Sequence, residues 1–150
     1  MEIAEFVRQI DQQMKEQDAL YHSVAAAFGL SDTVMWILYH CTESNAEITQ
    51  QELCRQSFFA KQTVNTAVNG LIKSGFVELT PIPGTRNHKR IHLTDAGRAL
   101  AARTTERVKA AERAAYAQLD EAEMRAYLRT TERLTAGLRA EFEKTIQEER

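Results

Sequence analysis

The feature that most constrains this chain is a change of hydrophobic period near residue 75. Over residues 60–74 the apolar residues Val64, Ala67, Val68, Leu71 and Ile72 recur at intervals of three and four, the spacing of one buried helix stripe. Beyond Ser74-Gly75 the period falls to two. Val77 and Leu79 alternate with Glu78 and Thr80, then Ile91 and Leu93 with Arg90 and His92. Such alternation marks strands with one buried face, and the stretch from Pro81 to His88 reads as the polar, basic tip of a hairpin. A shorter helix precedes residue 60. It opens at the capping box Thr49-Gln-Gln-Glu52 and breaks near Ser57-Phe58-Phe59. Helix, tight break, helix and hairpin in this order predict a winged helix-turn-helix, whose second helix can enter the major groove of duplex DNA.

The flanking segments are helical by the same criterion. Ile3, Val7, Ile10, Met14, Tyr21, Val24 and Phe28 form a narrow apolar seam that only Gln17 interrupts. Gly29 ends that helix and Ser31 can cap the next. The second helix carries Val34, Ile37, Leu38 and Cys41 on one face, with Met35, Trp36 and Tyr39 elsewhere on its circumference. Apolar on most sides, it should be buried on most sides. Thr94 can cap a fifth helix running to about residue 117. Asp120 and Glu123 form a second capping box, opening a last helix with Met124, Tyr127, Leu128, Thr131, Leu134, Leu138, Phe142 and Ile146 along its seam. The terminal segments exceed what a small winged core needs for cover, so they are expected to interlock with a second copy. The predicted fold is mainly α with a small β-hairpin wing, and the 150 residues fit a single domain. Its winged lobe spans about 31–98, and its dimerisation helices about 1–28 and 99–146.

The outer face of the fourth helix points to the chemistry. It holds Lys61, Gln62, Thr63, Asn65, Thr66 and Asn69, with no acid between Lys61 and Lys73. Amide and hydroxyl side chains can pair with base edges, and the missing acids suit a polyanion. Arg86, His88, Lys89 and Arg90 on the wing add backbone or minor-groove contacts. Charge is distributed accordingly. Residues 45–98 carry seven bases against four acids, whereas residues 1–44 carry two against seven and residues 99–150 carry ten of each.

Residues Lys61-Gln-Thr-Val-Asn-Thr-Ala-Val, Leu71-Ile-Lys-Ser-Gly-Phe-Val and Pro83-Gly-Thr-Arg-Asn-His-Lys-Arg-Ile-His-Leu-Thr-Asp-Ala-Gly97 resemble the recognition helix and wing of the MarR (multiple antibiotic resistance regulator) family. The likeness is closest over about residues 30–100. It implies a transcriptional regulator, usually a repressor, that binds a pseudo-palindromic operator as a homodimer and is released by a small ligand or by oxidation. The chain departs from the family pattern at three places. The wing positions that commonly read Asp-x-Arg are Thr85, Arg86 and Asn87. Ala60 stands where a capping Ser or Thr is common. The reactive first-helix cysteine of oxidation-sensing relatives is missing.

The other candidate sites are weaker. Relatives bind effectors between the dimer helices and the DNA-binding lobe, and Tyr21, Trp36, Tyr39 and His40 could line such a cleft. Core or interface packing competes with that reading for each of the four. Cys41 and Cys54, the only cysteines, read as packing residues before redox sensors. His88 and His92 lie on a hairpin without Cys or carboxylate partners, so no metal is expected, and no cofactor. The sequence has no phosphate loop and no arrangement of nucleophile and base; it does not read as an enzyme. It also lacks a long apolar run and the signature of a signal peptide, so cytoplasmic residence away from membranes is the expectation. Two rivals stand beside the DNA-binding regulator: a cysteine-oxidation sensor, and a winged-helix module that binds protein. An exposed apolar patch on the fourth helix or wing would mark the latter, and only Ile82 fits.

Overall fold

The computed structural model describes residues 1–43, 48–57, 59–85 and 89–149. They form two compact units, Met1–Ala110 and Ala111–Arg150.

In the first unit α1 (Ile3–Ala27) stops where Gly29 takes a positive φ of 69°. Gly29 N–H donates to the Ala26 carbonyl at 2.9 Å and Leu30 N–H to that of Ala25 at 2.9 Å, closing the helix end with a left-handed residue. The Ser31 hydroxyl accepts from Val34 N–H at 3.3 Å and starts α2 (Asp32–Glu43), which is bent by 90° from α1. No single helix among the described residues is long and apolar enough to cross a membrane.

Next come β1 (Ile48–Thr49), α3 (Gln50–Ser57), α4 (Lys61–Lys73), β2 (Val77–Pro81), β3 (Lys89–Leu93) and α5 (Asp95–Arg103). The expected hairpin is present, and a third strand joins it. The antiparallel sheet runs β1-β3-β2, with Ile48 opposite Ile91, Thr49 opposite Arg90 and Val77 opposite Leu93. β1 escaped the sequence reading because two residues carry no period; only its distant partner defines it. Gly84, at φ 79° after Pro83, turns the chain beyond β2, and Thr85 N–H closes that turn on the Ile82 carbonyl at 3.2 Å.

One core joins these elements. Ile37, Leu38 and Cys41 of α2, Leu53 of α3, and Val64, Val68 and Leu71 of α4 are buried with Val77, Ile91 and Leu93 of the sheet and Leu100 and Ala101 of α5. A smaller cluster holds Met35 against Ala25 and Val108. The helix α2 therefore feeds two cores from two faces, as its all-round apolar character requires.

The fifth helix does not continue unbroken to residue 117. Thr104, at φ −125° and ψ −89°, separates α5 from α6 (Thr105–Tyr116). Its hydroxyl donates to the Leu100 carbonyl at 2.7 Å, and that of Thr105 to the Ala101 carbonyl at 3.4 Å. Hydroxyls that bond back onto a helix compete with its own ladder and bend it. The second unit contains the end of α6 and α7 (Glu121–Glu148), which opens on the predicted Asp120–Glu123 capping box.

The tightest junction lies between α5 and the strand β2. Thr94 caps α5 by accepting from Gly97 N–H at 3.0 Å, while its own hydroxyl donates to the Gly75 carbonyl at 2.6 Å. A Cβ on Gly97 would lie 1.9 Å from the Phe76 carbonyl oxygen, so only glycine fits. Gly97→Ala should therefore cost about 3 kcal/mol or more. Gly70→Ala, whose Cβ would meet nothing within 4 Å in mid-α4, should instead add up to about 1 kcal/mol. Urea unfolding of both variants checks the opposite signs.

Candidate nucleic-acid interface

The buried stripe of α4 dictates what its other side presents. With Val64, Val68 and Leu71 turned inward, Lys61, Gln62, Thr63, Thr66 and Asn69 are exposed and Asn65 is half-buried. All six predicted residues thus share one surface. Ala60 provides no side-chain cap, and the first turn contains no acid. The positive end of the helix dipole is left for an anion from outside.

A groove follows each edge of this face. One, of about 600 Å³, is lined by Thr49, Gln50, Gln51 and Cys54 with Lys61, Asn65 and Lys89. The other, of about 510 Å³, runs between the start of α2 (Ser31, Thr33, Val34) and Gln62, Thr63, Thr66 and Ala67. Both are open, suited to a ligand that lies along the helix.

The wing contributes unequally. Lys89 is exposed and reaches the first groove. Arg90, its neighbour on the strand, points the other way and is half-buried. It acts on Glu52, whose carboxyl is held below the usual range first by the Thr49 backbone N–H, then by the Thr49 hydroxyl, and to a lesser extent by Arg55 and Arg90. The Thr49–Glu52 box is complete, with bonds of 2.8 Å from Thr49 N–H and 3.2 Å from Glu52 N–H. Arg86 and His88 lie outside the described residues. Thr85, which stands where an acid was expected, donates its hydroxyl to the Ile82 carbonyl at 2.9 Å, so it closes the turn itself. Ile82 is half-buried.

The sequence reading missed Gln50. Its Nε2 donates to Asn65 Oδ1 at 3.1 Å, a link that two polar residues fifteen positions apart do not advertise.

The four aromatic candidates do converge. Trp36 has ring centroids 5.1 Å from Tyr21, 5.3 Å from Tyr39 and 6.1 Å from His40. Tyr21 and Tyr39 pack on the Met35 cluster, and Lys109 Nζ sits 4.7 Å from the Tyr39 ring centroid. Trp36 and His40 open onto a cavity of about 220 Å³ shared with Gln56 and Phe59. Lys109 was not foreseen either; it is buried and donates to the Thr42 hydroxyl at 2.5 Å, joining α6 to α2.

The sequence profile of the MarR family matches residues 28–86, which run from the end of α1 past β2 and stop short of β3. Over this segment the chain is similar to the MarR family. Members of the MarR family are transcriptional regulators, not enzymes. Solved structures extend the likeness across the chain. A MarR family regulator from Neisseria meningitidis superposes with a TM-score of 0.78 at 20% identity, over 96% of this chain and 98% of its own. One from Silicibacter pomeroyi gives 0.67 at 22%, over 91% and 96%. A MarR family regulator from Listeria monocytogenes, solved in complex with a 26mer DNA, gives 0.68 at 17%, over 88% and 87%. At such identities the likeness establishes the fold. No curated protein matches the chain.

The two cysteines differ sharply in their surroundings. Burial pushes the Cys41 thiol up to about 12, so at neutral pH it stays protonated and unreactive. Cys54 is half-buried and borders the first groove. A thiol reagent at neutral pH should therefore label Cys54 alone in the native protein, and Cys41 only after unfolding. Rapid labelling of both would contradict this assignment.

Proposed function

We propose that the chain is a DNA-binding repressor that acts in the cytoplasm, gripping a pseudo-palindromic operator as a homodimer. The observation that carries this reading is the face of α4. It is polar, free of acid from Lys61 to Lys73, and bordered by a groove that Lys61, Lys89, Gln50 and Asn65 help to line. Lysines suit phosphates, and the Asn65 amide suits a base edge.

Exposed apolar stripes support the homodimer. On α1, Ile3, Val7, Ile10, Met14 and Leu20 are open to solvent, and on α7 Met124, Tyr127, Leu128, Leu134, Leu138, Phe142 and Ile146 are too. No residue of α7 is buried. Stripes of that length call for cover, and a second copy brings two recognition helices to half-sites about one helical turn apart. A small-molecule effector is placed best in the Trp36–His40 cavity, where quenching of the single tryptophan would report it. An oxidation-sensing role would fall to Cys54, since Cys41 is sealed in the core.

Sedimentation at micromolar concentration should give a dimer; a stable monomer would remove that part of the proposal. Footprinting on the DNA upstream of its own gene should protect two half-sites. Asn65→Ala should narrow the preference for that site over random duplex by roughly tenfold. Lys89→Ala should weaken both about equally and flatten the salt dependence. If neither substitution changes binding, the face is wrongly assigned.

A further inference from the structure

Among the six outward residues of α4, Asn65 is set apart. It is half-buried where the others are exposed, and its Oδ1 is engaged by Gln50 Nε2 at 3.1 Å. Gln50 is itself firmly placed. It is the first residue of α3, directly after Thr49, which pairs with Arg90 in the sheet and shares the capping box with Glu52. The backbone from which Gln50 reaches Asn65 is thus held by strand pairing on one side and a helix cap on the other.

A surface asparagine reads a base poorly when it is free to turn. Its amide can rotate to offer either a carbonyl or an NH₂ group, and the two ends recognise opposite partners on a base edge. A donor against Oδ1 couples the two amides: Asn65 cannot reverse alone, since that would set NH₂ against NH₂, and must turn together with Gln50. The Nδ2 hydrogens then remain for the groove that Asn65 and Gln50 both line with Lys61 and Lys89. We infer that Gln50 is a specificity-positioning residue. By holding the carbonyl end of Asn65 it fixes which end of that amide meets the DNA, and so which base is preferred there. This rests on α4 being the base-reading helix.

The test uses the full-length chain and a library of randomised duplexes, with base preference scored position by position. Gln50→Ala should relax preference at the same operator positions as Asn65→Ala, by roughly five- to tenfold. The double variant should lose no more discrimination than Asn65→Ala alone. Gln50→Glu goes further, because a carboxylate only accepts. Asn65 must then turn its NH₂ inward and show its carbonyl to the base. The favoured base at that position should change, beyond the uniform loss that added negative charge imposes on every sequence. Discrimination altered by Asn65→Ala but untouched by both Gln50 variants would overturn the inference and leave the α4 reading standing. The same holds if the Gln50 and Asn65 effects add independently. Discrimination untouched by Asn65→Ala would overturn both.

Discussion

The burial of one side of α4 organises the rest of this molecule. Val64, Val68 and Leu71 reach the same core as Leu38, Leu53 and Ile91. Helix geometry then leaves the opposite side no option but solvent, because the residues between the stripe positions point away from it. What is polar and acid-free in that interval becomes a surface by default. Packing and recognition are two consequences of one periodic pattern. A substitution that rotated the stripe by one residue would spoil both together.

Much of this was legible in the sequence because it depends on neighbours along the chain. The α4 stripe, the positive-φ glycines that end α1 and α4, the Thr94 cap and the two capping boxes are all encoded within one or two helical turns. Features that depend on residues far apart in sequence were not. β1 exists only because Ile48 meets Ile91. The Gln50–Asn65 link and the Lys109–Thr42 link join different elements, and no spacing rule announces them. The break at Thr104 is an intermediate case. The pair Thr104-Thr105 was visible, but its two hydroxyls had to be seen bonding back onto α5 before it read as an interruption.

The wing shows how a departure from a family pattern can be absorbed locally. Thr85 closes its own turn on Ile82, which a short hydroxyl does as well as a carboxylate and without adding charge beside DNA. Arg90 lies half-buried on the opposite face of the strand, so Lys89 is the described wing base that lines the groove. The count of basic residues in a hairpin therefore overstates what it offers outward, because alternate strand positions face opposite ways.

Thr49 belongs at once to a strand and to a helix cap, and that double membership has a thermodynamic consequence. It links the first turn of α3 directly to the wing strand β3, so the helix-turn-helix and the root of the hairpin cannot wander independently. A surface whose parts are already in register loses little conformational freedom when a rigid duplex arrives, and less of the contact energy is consumed by ordering the protein. For any rigid ligand that this face takes, discrimination then depends on how well the ligand fits a preset shape, not on how far the protein can bend to meet it.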